Sequence, residues 1–291
     1  MKQYLLNFAH HLLEFRWPEV QSILQLNDPR KSFELDRTVA SPFAVVKLED
    51  DNAVHELLKR SVLIKNAFEL WTFADSYGGL YDELKKELPK YEDFDFIPFK
   101  GPVNLNSPDE TYYALEFYGC DSDNVPETPY KVYFGRLIGF GQTGMADKIN
   151  LKQRRYIGNT TMDPLLSLIM ANIGKVKPND FVFDPFVGTG SLLIAAASFG
   201  GYVIGMDIMY QTIHALGKSS RCDVKYRTAD ESIRNNFVQY NLGDRYVDML
   251  LGDSSKTDIW RRKSVFDVII TDRKCAERKR EVFRYTCVHK L

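Results

Sequence analysis

Apolar and polar positions follow two different rhythms along this chain, and the change between them divides it. Up to about residue 145, short alternating runs are mixed with helical spacing. Tyr4–Phe8, Phe43–Leu48, Val62–Trp71, Tyr112–Tyr118 and Val132–Phe140 read as strands, rich in aromatic and β-branched residues. Pro18–Leu26 reads as a helix with proline at its start. Asn52–Arg60 and Tyr81–Leu88 also read as helices, the latter stopped by Pro89. Pro98–Pro108, with three prolines, reads as a connector. That order fits two small α+β units, 1–60 and 61–145. Tyr112, Tyr113, Phe117 and Tyr118 are expected in their core, and His10 and His11 at the surface.

From Phe181 the rhythm becomes strand, glycine turn, helix, strand. Phe181–Phe183 leads into Asp184–Ser191, then a helix at Leu192–Phe199 and a strand at Tyr202–Met206. Further strands are predicted at Val224–Arg227 and Phe266–Thr271. Short apolar strands separated by helices indicate a parallel sheet buried on both faces. Val268, Ile269 and Ile270 are apolar whichever way they point, so this strand expects helices above and below and a strand on each side.

With 291 residues there is room for two domains. No apolar run reaches the roughly 20 residues of a membrane span, and the N-terminus lacks the pattern of a signal peptide. The four cysteines include no C-x-x-C pair, which fits free thiols in a reducing cytosol and no metal site. Charge is asymmetric: residues 1–150 carry 16 basic and 24 acidic side chains, and residues 151–291 carry 22 and 15. Seven of those 22 cations lie in 273–291, a stretch without strand or helix period that reads as a solvated basic tail.

The strongest chemical signal is Asp184-Pro185-Phe186-Val187-Gly188-Thr189-Gly190-Ser191. Gly188 and Gly190 allow a tight turn and close approach of backbone to a ligand, at a strand's carboxyl end and a helix start. The third glycine of a dinucleotide fingerprint is replaced by Leu193. A carboxylate at Asp184 would repel a pyrophosphate and attract the ammonium and sulfonium of S-adenosyl-L-methionine. Asp207, closing the next strand, is placed to accept ribose hydroxyls, or else to cap the following helix. Asp253 is placed to accept from the adenine amine, or is a solvated turn residue. Lys152, Arg154 and Arg155, between the two halves, are candidate RNA contacts.

These residues carry a resemblance. Asp184–Gly190 resembles the cofactor loop of amino-methyltransferases that modify exocyclic nitrogens of nucleic-acid bases, and Tyr156-Ile157-Gly158-Asn159-Thr160-Thr161-Met162-Asp163-Pro164 is similar to the segment upstream of it in RNA guanine methyltransferases. From residue 1 to about Asp272 the chain resembles the catalytic subunits of eukaryotic tRNA (guanosine-10 N2)-methyltransferases, a THUMP-containing RNA methyltransferase family. The resemblance implies an α/β fold: a Rossmann-like class I methyltransferase domain, C-terminally incomplete, preceded by an α+β ferredoxin-like and THUMP-type region. It implies a ferredoxin-like unit at 1–60, a THUMP-like tRNA-binding unit at 61–145, a partial methyltransferase domain at 146–272 and a divergent basic tail at 273–291. It further implies S-adenosyl-L-methionine as cofactor, held by Asp184, Pro185, Phe186, Gly188, Gly190, Asp207 and Asp253. Partners would be tRNA and a small zinc-binding activator subunit in a heterodimer, in the cytoplasm.

At the fourth strand this chain departs from the family. The family reads Asp-Pro-Pro-Tyr where this chain has Asp272-Arg273-Lys274-Cys275. In that motif the carboxylate and a carbonyl accept the protons of a base amine, while the ring stacks on a flipped-out base. Asp272 survives as the catalytic position; the prolines and the ring do not. The alternative expectation is therefore a catalytically impaired form that retains binding of tRNA or activator. A domain of this class has about seven strands and only four are expected before Leu291, so the fourth is predicted to be an unpaired edge.

Overall fold

The computed structural model describes residues 1–26, 41–87, 108–121, 123–222, 224–256, 265–273 and 285–290. They fall into two units, one of Met1–Trp17 with Arg30–Thr143 and one of Pro18–Pro29 with Gly144–Leu291.

The first unit is one antiparallel sheet. β1 (Lys2–Phe8), β2 (Phe43–Leu48), β3 (Ile64–Ala74), β4 (Tyr112–Phe117) and β5 (Lys131–Phe140) stand in the order β2-β1-β3-β5-β4. Because β1 pairs with β2 on one side and β3 on the other, the expected separation at residue 60 does not divide the sheet. Helix α1 (Arg16–Leu24) starts two residues before its predicted position. Helix α2 (Asp51–Leu58) is capped by Asp50, whose side chain accepts from the Ala53 amide, and it buries Val54, Leu57 and Leu58. Leu5, Phe68, Leu70 and Tyr133 form a second apolar cluster, with Phe43, Val45, Leu115, Phe117 and Leu137 partly buried against it. Arg136 ties the other side together, 2.6 Å from Asp51 and 2.8 Å from Glu69, while Lys2 stands 2.7 Å from Glu69. None of the four aromatics expected in the core is fully buried: β4 lies at the sheet's edge, Tyr112, Phe117 and Tyr118 are half-buried, with Phe117 against the cluster, and Tyr113 is 40% exposed. His10 and His11 are exposed. α3 (Tyr77–Glu87) starts four residues before its predicted position. Of the connector Pro98–Pro108, all but Pro108 lies outside the described residues.

In the second unit, β6 (Phe181–Asp184), β7 (Tyr202–Asp207), β8 (Tyr246–Leu251), β9 (Val268–Arg273) and β10 (Tyr285–Lys290) stand in the order β10-β9-β6-β7-β8. The pairs β9–β6, β6–β7 and β7–β8 are parallel. After the short α4 (Met145–Lys148), α5 (Pro164–Ile173) starts at Asp163, whose side chain accepts from the Leu166 amide, with proline at its first position. α6 (Ser191–Ser198) is buried along its whole apolar length, Leu192 to Ala197. An apolar helix of this kind belongs inside a packed layer.

Two expectations are corrected. Val224–Arg227 is not a strand: Arg227 is turned inward onto Ile157 and Glu231, and the third parallel strand is β8, whose apolar residues Val247, Leu250 and Leu251 are partly exposed at the sheet's other edge. Nor is β9 an open edge. β10, from the segment read as an unstructured tail, pairs antiparallel with it from Tyr285↔Arg273 to Lys290↔Val268. Val268 and Ile270 are fully buried.

Candidate cofactor and catalytic site

The sheet order brings the sequence's scattered carboxylates to one line. Asp184 ends β6, Asp207 ends β7, Asp253 follows β8 by two residues, and Asp272 is the last but one of β9. The four strands are parallel neighbours, so these side chains share the carboxyl edge of the sheet, where open α/β sheets bind ligands.

The loop between β6 and α6 is built for close approach. Gly188 and Gly190 have φ of +52° and +82°, the left-handed region glycine tolerates. The Gly188 amide donates to Asp207 Oδ2 at 2.9 Å and the Val187 amide to the Met206 carbonyl at 2.9 Å, tying the loop to the end of β7. A Cβ added at Gly188 would meet nothing within 4 Å, whereas one at Gly190 would stand 3.0 Å from Ile233 Cγ2. The loop is thus open over Gly188 and walled behind Gly190. Phe186 is 40% exposed beside it.

Asp184 lies deeper than its position at the loop's start suggests. It is 1% exposed, and one oxygen, Oδ1, accepts from the Phe186 amide at 3.0 Å and from Thr271 Oγ1 at 2.9 Å. Burial pushes its carboxyl up to about 7, and the neighbouring Asp207 and Asp272 push the same way. Asp272 Oδ1 is buried and has no hydrogen-bond partner among the described residues. Asp207 uses its other oxygen for the Met209 amide at 2.9 Å, and no side chain caps α7 (Tyr210–Ile213). Each oxygen of this half-buried carboxylate keeps lone-pair capacity for a further donor. Asp253 Oδ1 accepts from the Ser255 amide at 3.0 Å and hydroxyl at 2.7 Å; these bonds hold its carboxyl below the usual range.

The segment before α5 completes the wall. Tyr156 is buried, its amide donating to Asn236 Oδ1 and its carbonyl accepting from Asn236 Nδ2, both at 2.8 Å. Asn236 lies on α8 (Ile233–Gln239), the helix that supplies Ile233. Thr161 Oγ1 stands 2.8 Å from Thr189 Oγ1, and Ser191 Oγ donates to the Met162 carbonyl at 2.8 Å. Reasoning from sequence missed Thr271, Asn236 and Ile233. Asn236, a polar residue between Ile233 and Phe237 on one apolar face, carried a signal.

Arg154 is corrected. The predicted RNA contact is fully buried, donating from Nη1 to Ser191 Oγ at 2.8 Å and from Nη2 to the Ile149 carbonyl at 2.6 Å. Burial lowers its pKa. Lys152 and Arg155 are exposed.

Residues 2–91 and 90–143 match the family described as Tmrp11 THUMP N-terminal domain, and residues 152–273 match RMKL-like, methyltransferase domain. The chain is 44% identical to the chicken (Gallus gallus) tRNA (guanine(10)-N(2))-methyltransferase TRMT11 and 41% to the human one. These alignments cover 94% of this chain with 66% and 65% of the relatives, so the chain spans slightly less than two thirds of their length. It is 30% identical to the tRNA (guanine(10)-N(2))-methyltransferase of Saccharomyces cerevisiae, over 94% of this chain and 67% of that protein. The chain belongs to the tRNA (guanine(10)-N(2))-methyltransferase family. The methyltransferase match begins at residue 152, ahead of the Tyr156 wall, and ends at residue 273, one beyond Asp272. It takes in all four strand-end carboxylates of this family member. No helix among its described residues is long and apolar enough to cross a membrane.

Proposed function

We propose that this chain binds S-adenosyl-L-methionine at the carboxyl edge of β9-β6-β7-β8 and transfers its methyl group to the exocyclic N2 of guanosine 10 in tRNA. The observation that carries the reading is the four-carboxylate edge around a glycine loop open at Gly188. The residues fit the cofactor: a Cβ at Gly188 would point into open space, and acidic groups flank it where a ligand with ammonium and sulfonium charges needs them. When bound, the cofactor supplies an electrophilic methyl group. Asp207 accepts the ribose hydroxyls while holding the Gly188 amide, Asp184 acts from beneath the loop, where an arriving ammonium would favour its charged form, and Asp253 accepts from the adenine amine. Pro185 and Phe186 carry the loop past the ligand.

Asp272 is the catalytic position. Its buried, unpartnered Oδ1 is an acceptor for a proton of the guanine amine, whose lone pair is otherwise drawn into the ring. Transfer then depends on in-line placement of that nitrogen, which accounts for a large part of such rate enhancements. In this reading 1–145 supplies the tRNA-binding region, 146–272 the methyltransferase domain and 273–291 a divergent basic extension. The complex includes the small zinc-binding activator subunit and works in the cytoplasm. The test is transfer of labelled methyl groups to unmodified tRNA, with activator present, by the wild-type chain and by Asp272→Asn. Label on guanosine 10 from the wild type alone supports the reading; no label, with cofactor binding intact, overturns it.

A further inference from the structure

The exposed Lys152 and Arg155 raise the question of what continues their surface once Arg154 is removed from it. Two stretches of backbone run side by side here. Arg221 Nη1 donates to the Lys152 carbonyl at 3.0 Å and its Nη2 to the Arg154 carbonyl. Six residues on, Arg227 Nη1 lies 3.3 Å from the Ile157 carbonyl, and its guanidinium sits 4.7 Å from the centre of the Tyr156 ring. The described residues of the stretch from Arg221 to Arg227 therefore lie along 152–157, joined at both ends by arginines turned inward. Arg227 is neutralised there by Glu231, 2.8 Å away.

The outward side chains of the same two stretches are of another kind. Lys152, Arg155 and Lys225 are exposed cations that do not serve these joints. Tyr226 is 71% exposed, with the Lys225 ammonium 5.5 Å from its ring centre. A tyrosine so exposed loses the usual benefit of burying its ring. Among the described residues, Asp230 is an acidic neighbour that feels Arg155, and Thr228 Oγ1 donates to it at 2.5 Å. The backbone beneath this surface continues to the cofactor loop. Two residues after Tyr156 comes Gly158, where an added Cβ would stand 3.0 Å from Thr189 Cγ2 in the cofactor loop.

We propose that Lys152, Arg155, Lys225 and Tyr226 form a docking platform for an RNA strand, the lysines and arginine on its phosphates and Tyr226 stacked on an unpaired base. The platform delivers the strand towards the Gly188 loop. Cations spaced along a strip with an exposed ring among them suit a polyanion with π-faced bases, since phosphates take the charges and any base takes the ring. This inference rests on the proposed tRNA substrate and names the surface that holds it.

The experiment measures affinity of the full chain for unmodified tRNA over a range of salt concentrations, with cofactor affinity measured in parallel by calorimetry. Lys152→Gln/Arg155→Gln/Lys225→Gln should weaken RNA binding and lower the slope of log affinity against log salt by about 3, roughly one per phosphate contact. Tyr226→Ala should weaken it about tenfold with little change of slope, and Tyr226→Phe should restore it. Cofactor affinity should be unchanged in all of them, which also reports that they fold. If wild type binds tRNA and the variants match it in affinity and slope, the platform is wrong and the substrate reading stands. Wild type that binds cofactor but no tRNA would overturn the substrate reading and the platform with it.

Discussion

Gly188 and Gly190 are two residues apart and both in left-handed conformation, yet alanine should act on them differently. At Gly190 (φ +82°) the new Cβ meets Ile233 Cγ2 at 3.0 Å and Phe237 Cε2 at 3.9 Å, and both of those side chains are buried. An L-residue in this region costs about 1–2 kcal/mol, and overpacking a filled core adds about 1–3. Gly190→Ala should therefore destabilise the second unit by about 2–5 kcal/mol, a large part of a domain's net stability of about 5–15 kcal/mol. At Gly188 (φ +52°) the Cβ has open space for 4 Å, so only the backbone cost of about 1–2 kcal/mol applies to stability. That open space is where the cofactor is expected, so the added methyl should be felt in binding.

Urea unfolding of the two variants, with calorimetric titration of S-adenosyl-L-methionine, separates the effects. Gly188→Ala should lose only the backbone cost of about 1–2 kcal/mol and bind at least tenfold more weakly. Gly190→Ala should unfold at clearly lower urea. Ile233→Ala, which removes the clashing methyl, should be less costly in the Gly190→Ala background than alone, by about 1 kcal/mol. Equal destabilisation by the two alanines, or strict additivity with Ile233→Ala, would show that the wall behind Gly190 is not what the sequence requires there.

Other outcomes follow from the carboxylates. A buried Asp184 whose carboxyl titrates near 7, against about 3.9 unfolded, keeps its proton in the folded state between those values, so stability should fall as pH rises from about 4 to about 7. Asp184→Asn should flatten that fall in unfolding midpoints measured across the range; an unchanged pH profile would place the titration elsewhere. Asp207→Ala should weaken cofactor binding by about 1–3 kcal/mol and loosen the Gly188 amide it holds, and an unchanged dissociation constant would remove it from the site. Asp272→Asn should leave cofactor affinity near wild type while methyl transfer is lost; transfer at the wild-type rate would dismiss it as the proton acceptor.

How much of this was legible beforehand depended on whether a residue's role was local. The strand, loop and helix at 181–199 follow from local pattern and glycine chemistry, and β2 fell on Phe43–Leu48 as predicted. The sheet order did not, because strand partners are chosen by packing between distant segments. β1 sits between β2 and β3, which merged the two units expected from sequence. Val224–Arg227 has strand-like composition, but Arg227 found an inward carbonyl, a ring and Glu231, and that set of partners outweighed a weak β preference. β10 hid in a stretch dense with lysine and arginine, where the apolar rhythm used to find strands is absent.

The site shows the same division in its charges. Asp184, Asp207 and Asp272 could be found from sequence because each ends or follows a predicted strand, and parallel strands place such ends together whatever their order; Asp253 joins them through β8, a strand the sequence pattern did not reveal. Burial could not be found that way. Arg154, flanked by Lys152 and Arg155, reads as one of three equivalent surface cations, yet it alone turns inward, to Ser191 Oγ at the first residue of α6 and to the Ile149 carbonyl. A guanidinium loses much favourable hydration on burial, so it goes inside only where fixed acceptors replace that water. Those acceptors come from a hydroxyl 37 residues away and from a local turn, which no spacing rule anticipates. Among the described residues the two exposed neighbours have no such acceptors, and they stay in water. What residues 152–155 present to a partner is thus decided by which of their cations the cofactor loop has already claimed.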